Sequence, residues 1–277
     1  MTRNLRAKRT WKDIVPLVCL LAGIALVAFS VASDLVESAL MREKTTSMIS
    51  TADGYENPEE LVDAEAYNAL LGNYPLPDGM QAVDVSPYEE QMDIDASMCY
   101  VDIPSIAIQM PVYHGTGDEA LAAGIGHVEG TSLPVGGPSS NCVLTAHSGM
   151  QGKRAFDDMR ILREGDIVLI HSMGEVLAYS VTCSVTIHQD NTEQWEKEIS
   201  IQPGEDELTL VTCTPYGVND HRLIVHATRT EYTGSEMENI PVTAYLNPRY
   251  LLLFAVLIVV LVSIGTHLWR ARKGRSA

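Results

Sequence analysis

In the stretch LTLVTCTPYGVNDHRLIV, residues 208–225, Cys213 closes an apolar run and Arg222 opens the next one, nine residues later. A cysteine set where a strand gives way to a loop is accessible while rigid backbone stands behind it. That setting suits a nucleophile, because a reactive thiolate needs both access and support. Arginine stays charged at any physiological pH. Arg222 can therefore donate hydrogen bonds to a developing oxyanion but cannot act as a base. The competing reading is a packed cysteine beside a surface arginine in an ion pair, and on spacing alone that plainer reading is the commoner one.

A cysteine nucleophile also needs a proton carrier, and the chain has eight histidines. His267 lies in an apolar run near the end. His171 and His188 fall in hairpin contexts. His221 and His226 neighbour Arg222, but strand alternation turns His221 to the face opposite Arg222. His114, His127 and His147 remain, each close to a glycine at a strand-to-loop boundary. His147 follows the apolar residues Val143–Ala146 and begins a small-residue loop. Residue types leave these three open, and a hydrogen-bonded structural histidine is the alternative for each.

The surrounding pattern is one of short strands. CYVDIPSIAIQMPVYHG (99–115) is rich in β-branched and aromatic residues, with Pro104 and Pro111 limiting where ladders run. NCVLTAHSG (141–149) reads as a buried strand leaving into a loop. DIVLIHSMGEVLAYSVTCSVTIHQ (166–189) reads as two strands joined near Met173-Gly174, and ELTLVTCTPYG and HRLIVHATRTEY supply the last two. NTEQWEKEI (191–199) has the makings of a short helix. Roughly eight strands with few helices predict a mainly β protein with a closed β-barrel. Ahead of them, Asn57 precedes Pro58 at the first position of an apolar helical pattern ending at Leu71, in a lead-in that reads as arm more than core.

Two further segments bound the chain's setting. Ile14–Ser33 is twenty residues without a charge, and Tyr250–Leu268 is nineteen more. Each is long enough for a membrane-spanning helix. Arg3, Arg6, Lys8, Arg9 and Lys12 precede the first, while Arg270, Arg272, Lys273 and Arg275 follow the second. Basic flanks stay inside, so both ends are expected in the cytoplasm and the middle outside. The expected organisation is a basic tail (1–13), an anchor (14–36), an arm (37–95), a barrel (96–232), a linker (233–249), a second span (250–268) and a basic tail (269–277). Residues 41–245 carry nine Lys and Arg against 33 Asp and Glu, a balance near −24. That charge argues against nucleic acid and suits a basic or lysine-bearing partner. Five cysteines without a CxxC pair argue against a zinc site. An exported location permits a disulfide among Cys99, Cys142 and Cys183.

Three segments carry a resemblance: HVEGTSLPVGG (127–137), VLTAHSG (143–149) and TLVTCTPYGVNDHRLIV (209–225). Together with the strand order over about residues 96–232 they resemble a sortase, and within that family a class C, pilus-assembling one. The resemblance implies a closed eight-stranded sortase-type β-barrel. It makes His147 the proton donor and acceptor, Cys213 the nucleophile and Arg222 the holder of oxyanion and substrate, and it places His114 and His127 in structural segments. It implies a transpeptidase that cleaves an LPxTG-like sorting signal on a pilin or surface protein and passes it to a lysine amine of a second pilin, with no metal or organic cofactor. A housekeeping sortase attaching proteins to the cell wall, or a noncatalytic pilin-binding module, are the alternatives. Class C members carry a lid with Asp-Pro-aromatic; Ser86-Pro87-Tyr88 stands at about that place, with serine for the acid and Asp84 two residues away. On that match, Tyr88 is expected over Cys213.

Overall fold

The eight strands close into one barrel in the order β1-β2-β3-β4-β7-β8-β6-β5. They are β1 (Cys99–Ile103), β2 (Ile108–His114), β3 (Ile125–His127), β4 (Ser140–Thr145), β5 (Ile167–Ser172), β6 (Glu175–His188), β7 (Asp206–Thr214) and β8 (His221–Thr230). These come from a computed structural model that describes residues 22–29, 32, 33, 36, 57–92, 97–149, 155–234, 258, 262 and 266. The chain divides into two units, residues 38–245 and residues 1–37 with 246–277. Half of the first apolar end segment, most of the second, both basic tails and most of the linker lie outside the described residues. Among the described residues no helix is long and apolar enough to cross a membrane.

Local chemistry explains most boundaries. The β5–β6 hairpin turns on Met173 and Gly174, both with positive φ (50° and 80°), the two-residue geometry that matches strand twist. Pro111 has no N–H to give a ladder, and the parallel β2–β3 pairing begins one residue after it, at Val112. The β4–β7 pair is also parallel, from Ser140–Asp206 to Thr145–Val211. Strands paired this way are covered on both faces, and residues 140–144 of β4 and 208–212 of β7 are buried without a break, polar side chains included.

The two faces of β7 look into different cores. Leu208 and Leu210 point into the barrel with Leu144, Val225, Tyr179 and Phe156. Val211 points outward with Val143, Ile187 and Ile224, a second cluster covered by Trp195 and Ile199. Trp195 belongs to a short helix, Thr192–Glu198, begun by the Asn191 side chain accepting from the Gln194 amide at 3.1 Å. Glu198 at its end meets His226 Nε2 of β8 at 3.0 Å and fastens the helix to the sheet.

The first described helix of this unit, α1 (Pro58–Leu71), has the expected start, with Asn57 Oδ1 accepting from the Glu60 amide. It is not a loose arm. Its buried Asn68 accepts from the Leu133 amide at 2.6 Å and donates to the Leu133 carbonyl at 3.0 Å. Gly72 ends it against the barrel, where an added Cβ would stand 2.3 Å from the Ser139 carbonyl oxygen. An apolar count of the helix missed this docking because a polar residue makes it.

Candidate active site

Antiparallel pairing of β7 with β8 sets Cys213 directly opposite Arg222. Directly opposed residues share a face and have Cβ atoms about 4.5–5.5 Å apart. Alternation from Val211 puts both on the outer face, at the end of the sheet where β7 runs out into the loop. Both are half-buried, and Cys213 is a free thiol.

His147 reaches the same place along β4. Beyond Thr145 the strand keeps its line against β7: the Ala146 amide donates to the Val211 carbonyl at 3.2 Å. Thr212 Oγ1 donates to the Ala146 carbonyl at 2.8 Å and Ser148 Oγ to the Cys213 carbonyl at 2.6 Å. His147, between these bonds, is level with Cys213 and half-buried. Its own carbonyl accepts from the Phe156 amide at 3.1 Å.

Among the described residues the guanidinium of Arg222 meets neutral acceptors only: the carbonyls of Asn219 (3.0 Å) and His221 (3.1 Å) through Nη1, and Gln189 Oε1 (3.4 Å) through Nη2. Asn219 has φ 63°, a left-handed turn residue whose carbonyl faces back toward the arginine. The surface ion pair considered for Arg222 from its sequence setting is absent among the described residues. His221 turns away, to Asp220 at 2.8 Å and to the ring of His188 at 5.1 Å. That hydrogen bond from His221 holds the Asp220 carboxyl below its ordinary range.

The other two candidate histidines belong to a different network. His127 is fully buried, and its Nε2 lies 2.8 Å from the Ser132 carbonyl. A carbonyl only accepts, so Nε2 carries the proton and Nδ1 accepts from the Tyr88 hydroxyl at 3.0 Å. Burial lowers the His127 pKa to about 4, which keeps the ring neutral at pH 7. The Tyr88 oxygen in turn accepts from the Gly115 amide at 2.9 Å. His114 donates through Nε2 to the Gln91 carbonyl at 2.6 Å.

Tyr88 is therefore not over Cys213, and the expected lid is corrected. The ring is 8 % exposed in the barrel's inner core, stacked on His127 and edge-on to His114, while Cys213 lies on the outer face. Ser86 and Pro87 lead into this plug. The Ser86 amide donates to Asp63 of α1 at 3.1 Å, its carbonyl accepts from Gln91 at 3.0 Å, and Pro87 caps the short turn Tyr88–Glu90. Asp84 is engaged locally with the Gln81 amide at 3.0 Å. An aromatic buried this way excludes water around two polar groups that it also satisfies, which explains its place better than a mobile cover does.

All four described cysteines, Cys99, Cys142, Cys183 and Cys213, are free thiols. Burial pushes the thiols of Cys99 and Cys142 far up, so neither competes with Cys213 as a nucleophile. Sequence reasoning did not single out Thr212, Ser148, Asn219 or Gln189. The signal for Thr212 and Ser148 was adjacency to Cys213 and His147, which carries no direction without the strand register, whereas Gln189 lies 33 residues from Arg222 and left no local signal.

The Sortase domain family matches residues 101–230. Sortase A of Streptococcus agalactiae serotype III (strain NEM316) is 30% identical over 138 residues, covering 48% of this chain and 53% of that protein. Sortase A of Bacillus anthracis is 26% identical over 125 residues, covering 45% and 56%. The match thus spans little more than half the length of these curated relatives. Among solved structures, sortase C-1 from Actinomyces oris is 40% identical, with 63% of this chain and 97% of that chain covered at a TM-score of 0.55. Sortase C1 from Streptococcus agalactiae is 33% identical, covering 69% and 99% at a TM-score of 0.60. With the barrel, the strand register at Cys213 and these likenesses together, the chain belongs to the sortase family of cysteine transpeptidases.

Proposed function

We propose that this protein is a membrane-anchored sortase that joins pilin subunits, with Cys213, His147 and Arg222 as its reacting groups. The observation that carries the reading is the convergence of these three residues from β7, the end of β4 and β8 at one edge of the barrel. The Cys213 thiolate attacks the threonine carbonyl of an LPxTG-like signal, and the carbonyl electron pair moves onto oxygen. Arg222 donates to that oxyanion. Collapse breaks the Thr–Gly bond, and His147 protonates the departing glycine amine, leaving a thioester. A lysine ε-amine then attacks the thioester carbonyl and gives its proton to His147. The thiolate leaves and an isopeptide bond remains. No step calls for a metal or an organic cofactor.

The likeness to sortase C structures supports the pilin reading, as does a helix α1 fastened to the barrel. Matches to sortases named A support cell-wall attachment as the second reading. For the anchoring, two features speak: the apolar runs with outer basic flanks, and the high exposure of described residues within them, Leu26 at 71% and Ile258 at 59%. Full-length enzyme in detergent micelles, given a sorting-signal peptide with either a lysine-bearing pilin or a cell-wall amine, separates the two readings. Isopeptide product with pilin and none with the cell-wall amine is expected; the reverse would establish the housekeeping role instead.

A further inference from the structure

Ser148 is outside the reacting trio, yet its hydroxyl holds the backbone of the nucleophile. The β4–β7 ladder ends at Thr145 and Val211. Past that point His147 is flanked by two side-chain bonds, Thr212 Oγ1 to the Ala146 carbonyl before it and Ser148 Oγ to the Cys213 carbonyl after it. We infer that Ser148 is a positioning residue that keeps His147 in line with Cys213 by clasping the two loops together.

A second contact shows the same clasp. Gly149, at φ +84°, lies so close beneath Tyr216 that an added Cβ would stand 2.4 Å from ring atom Cε2. The backbone angle favours glycine, and a side chain there would also have to push the exposed Tyr216 ring aside. On its other side the Gly149 amide donates to Asp157 Oδ1 at 2.8 Å. Ser148 and Gly149, which follow His147, thus lie against Cys213 and Tyr216, and the Ser148 hydroxyl makes the bond nearest the reacting atoms. At 2.6 Å it also fixes the peptide plane that follows Cys213.

The inference rests on His147 and Cys213 being the reacting pair. Losing the clasp leaves the substrate surface intact and lowers the fraction of time the imidazole is aligned. The effect therefore falls on kcat and leaves KM largely unmoved.

The test compares parent, Ser148→Ala and Ser148→Thr full-length enzymes in detergent micelles on an LPxTG-type peptide, together with the pH profile of Cys213 alkylation by iodoacetamide. Ser148→Ala is expected to lower kcat by about tenfold to a hundredfold with KM within about twofold. Its alkylation profile should move toward that of His147→Ala, and Ser148→Thr should restore kcat to within about threefold. Parent-like kcat and profile in Ser148→Ala, equal impairment of both variants, or a loss that merely tracks a lower Tm would each overturn the inference. If the parent forms no adduct on Cys213, the reaction itself is misassigned. An adduct in the parent together with unchanged Ser148→Ala kinetics sinks the clasp alone.

Discussion

Among the described residues Arg222 is held by carbonyl and amide oxygens, which in the proposed reaction leaves its charge for an oxyanion beside Cys213. Lysine would keep the charge and lose the planar fork. Arg222→Lys should slow single-turnover acylation by about 10²–10³ while the folded barrel is retained. A rate within twofold of the parent would remove Arg222 from the oxyanion site. Tyr88 makes the opposite kind of prediction. Tyr88→Phe leaves the buried His127 Nδ1 without a partner, which costs about 1–3 kcal/mol, and also removes the partner of the half-buried Gly115 amide. Denaturant unfolding should register that loss, and Cys213 alkylation should stay at the parent rate because the ring lies on the other face. His127 adds a pH dependence. Its pKa is about 4 when folded and near 6.5 when unfolded, so between those values the unfolded chain binds the extra proton. Stability therefore falls as pH drops, by about 2 kcal/mol from pH 7 to pH 5. The slope should flatten in His127→Gln; an unchanged slope would contradict a buried neutral ring.

At the scale of elements, α1 is part of the barrel's structure. Asn68→Ala would strand the Leu133 amide and leave the Leu133 carbonyl to the Val135 amide alone, and hydrogen exchange at the Leu133 amide should rise by at least about tenfold. Parent-like protection there would mean that the helix is a loose arm after all. The elements themselves were largely legible. Asn57-Pro58 announces a helix start, Met173-Gly174 sits between two β-branched runs, and an apolar run ending in Cys213 reads as a strand edge. What was hidden was pairing across distance. Pro87-Tyr88 reads the same whether the ring covers a cleft or plugs a core, and its deciding partners, Gly115 and His127, lie 27 and 39 residues away. The parallel β4–β7 register, which sets His147 level with Cys213, joins residues 66 positions apart and leaves no local trace.

For the whole molecule, the proposed reaction needs the barrel where exported substrates can meet it. On the proposed topology both chain ends lie inside, so cysteines introduced at Thr2 and Ser276, with Cys183→Ser and Cys213→Ala removing the accessible thiols among the described residues, should resist impermeant maleimide in intact cells. Labelling of either end from outside would overturn the two-anchor topology. The balance near −24 between residues 41 and 245 adds a long-range attraction for lysine-bearing acceptors, and added salt should slow the aminolysis step more than acylation. The proposed function depends on one covalent event. Intact-mass and peptide-mapping mass spectrometry of the full-length enzyme, quenched during turnover of an LPxTG-type peptide, tests it most directly. The account predicts a mass increase equal to the acyl fragment ending in threonine, mapped to Cys213, sensitive to hydroxylamine and absent in Cys213→Ala. Turnover by Cys213→Ala, or an adduct on any other residue, would contradict it.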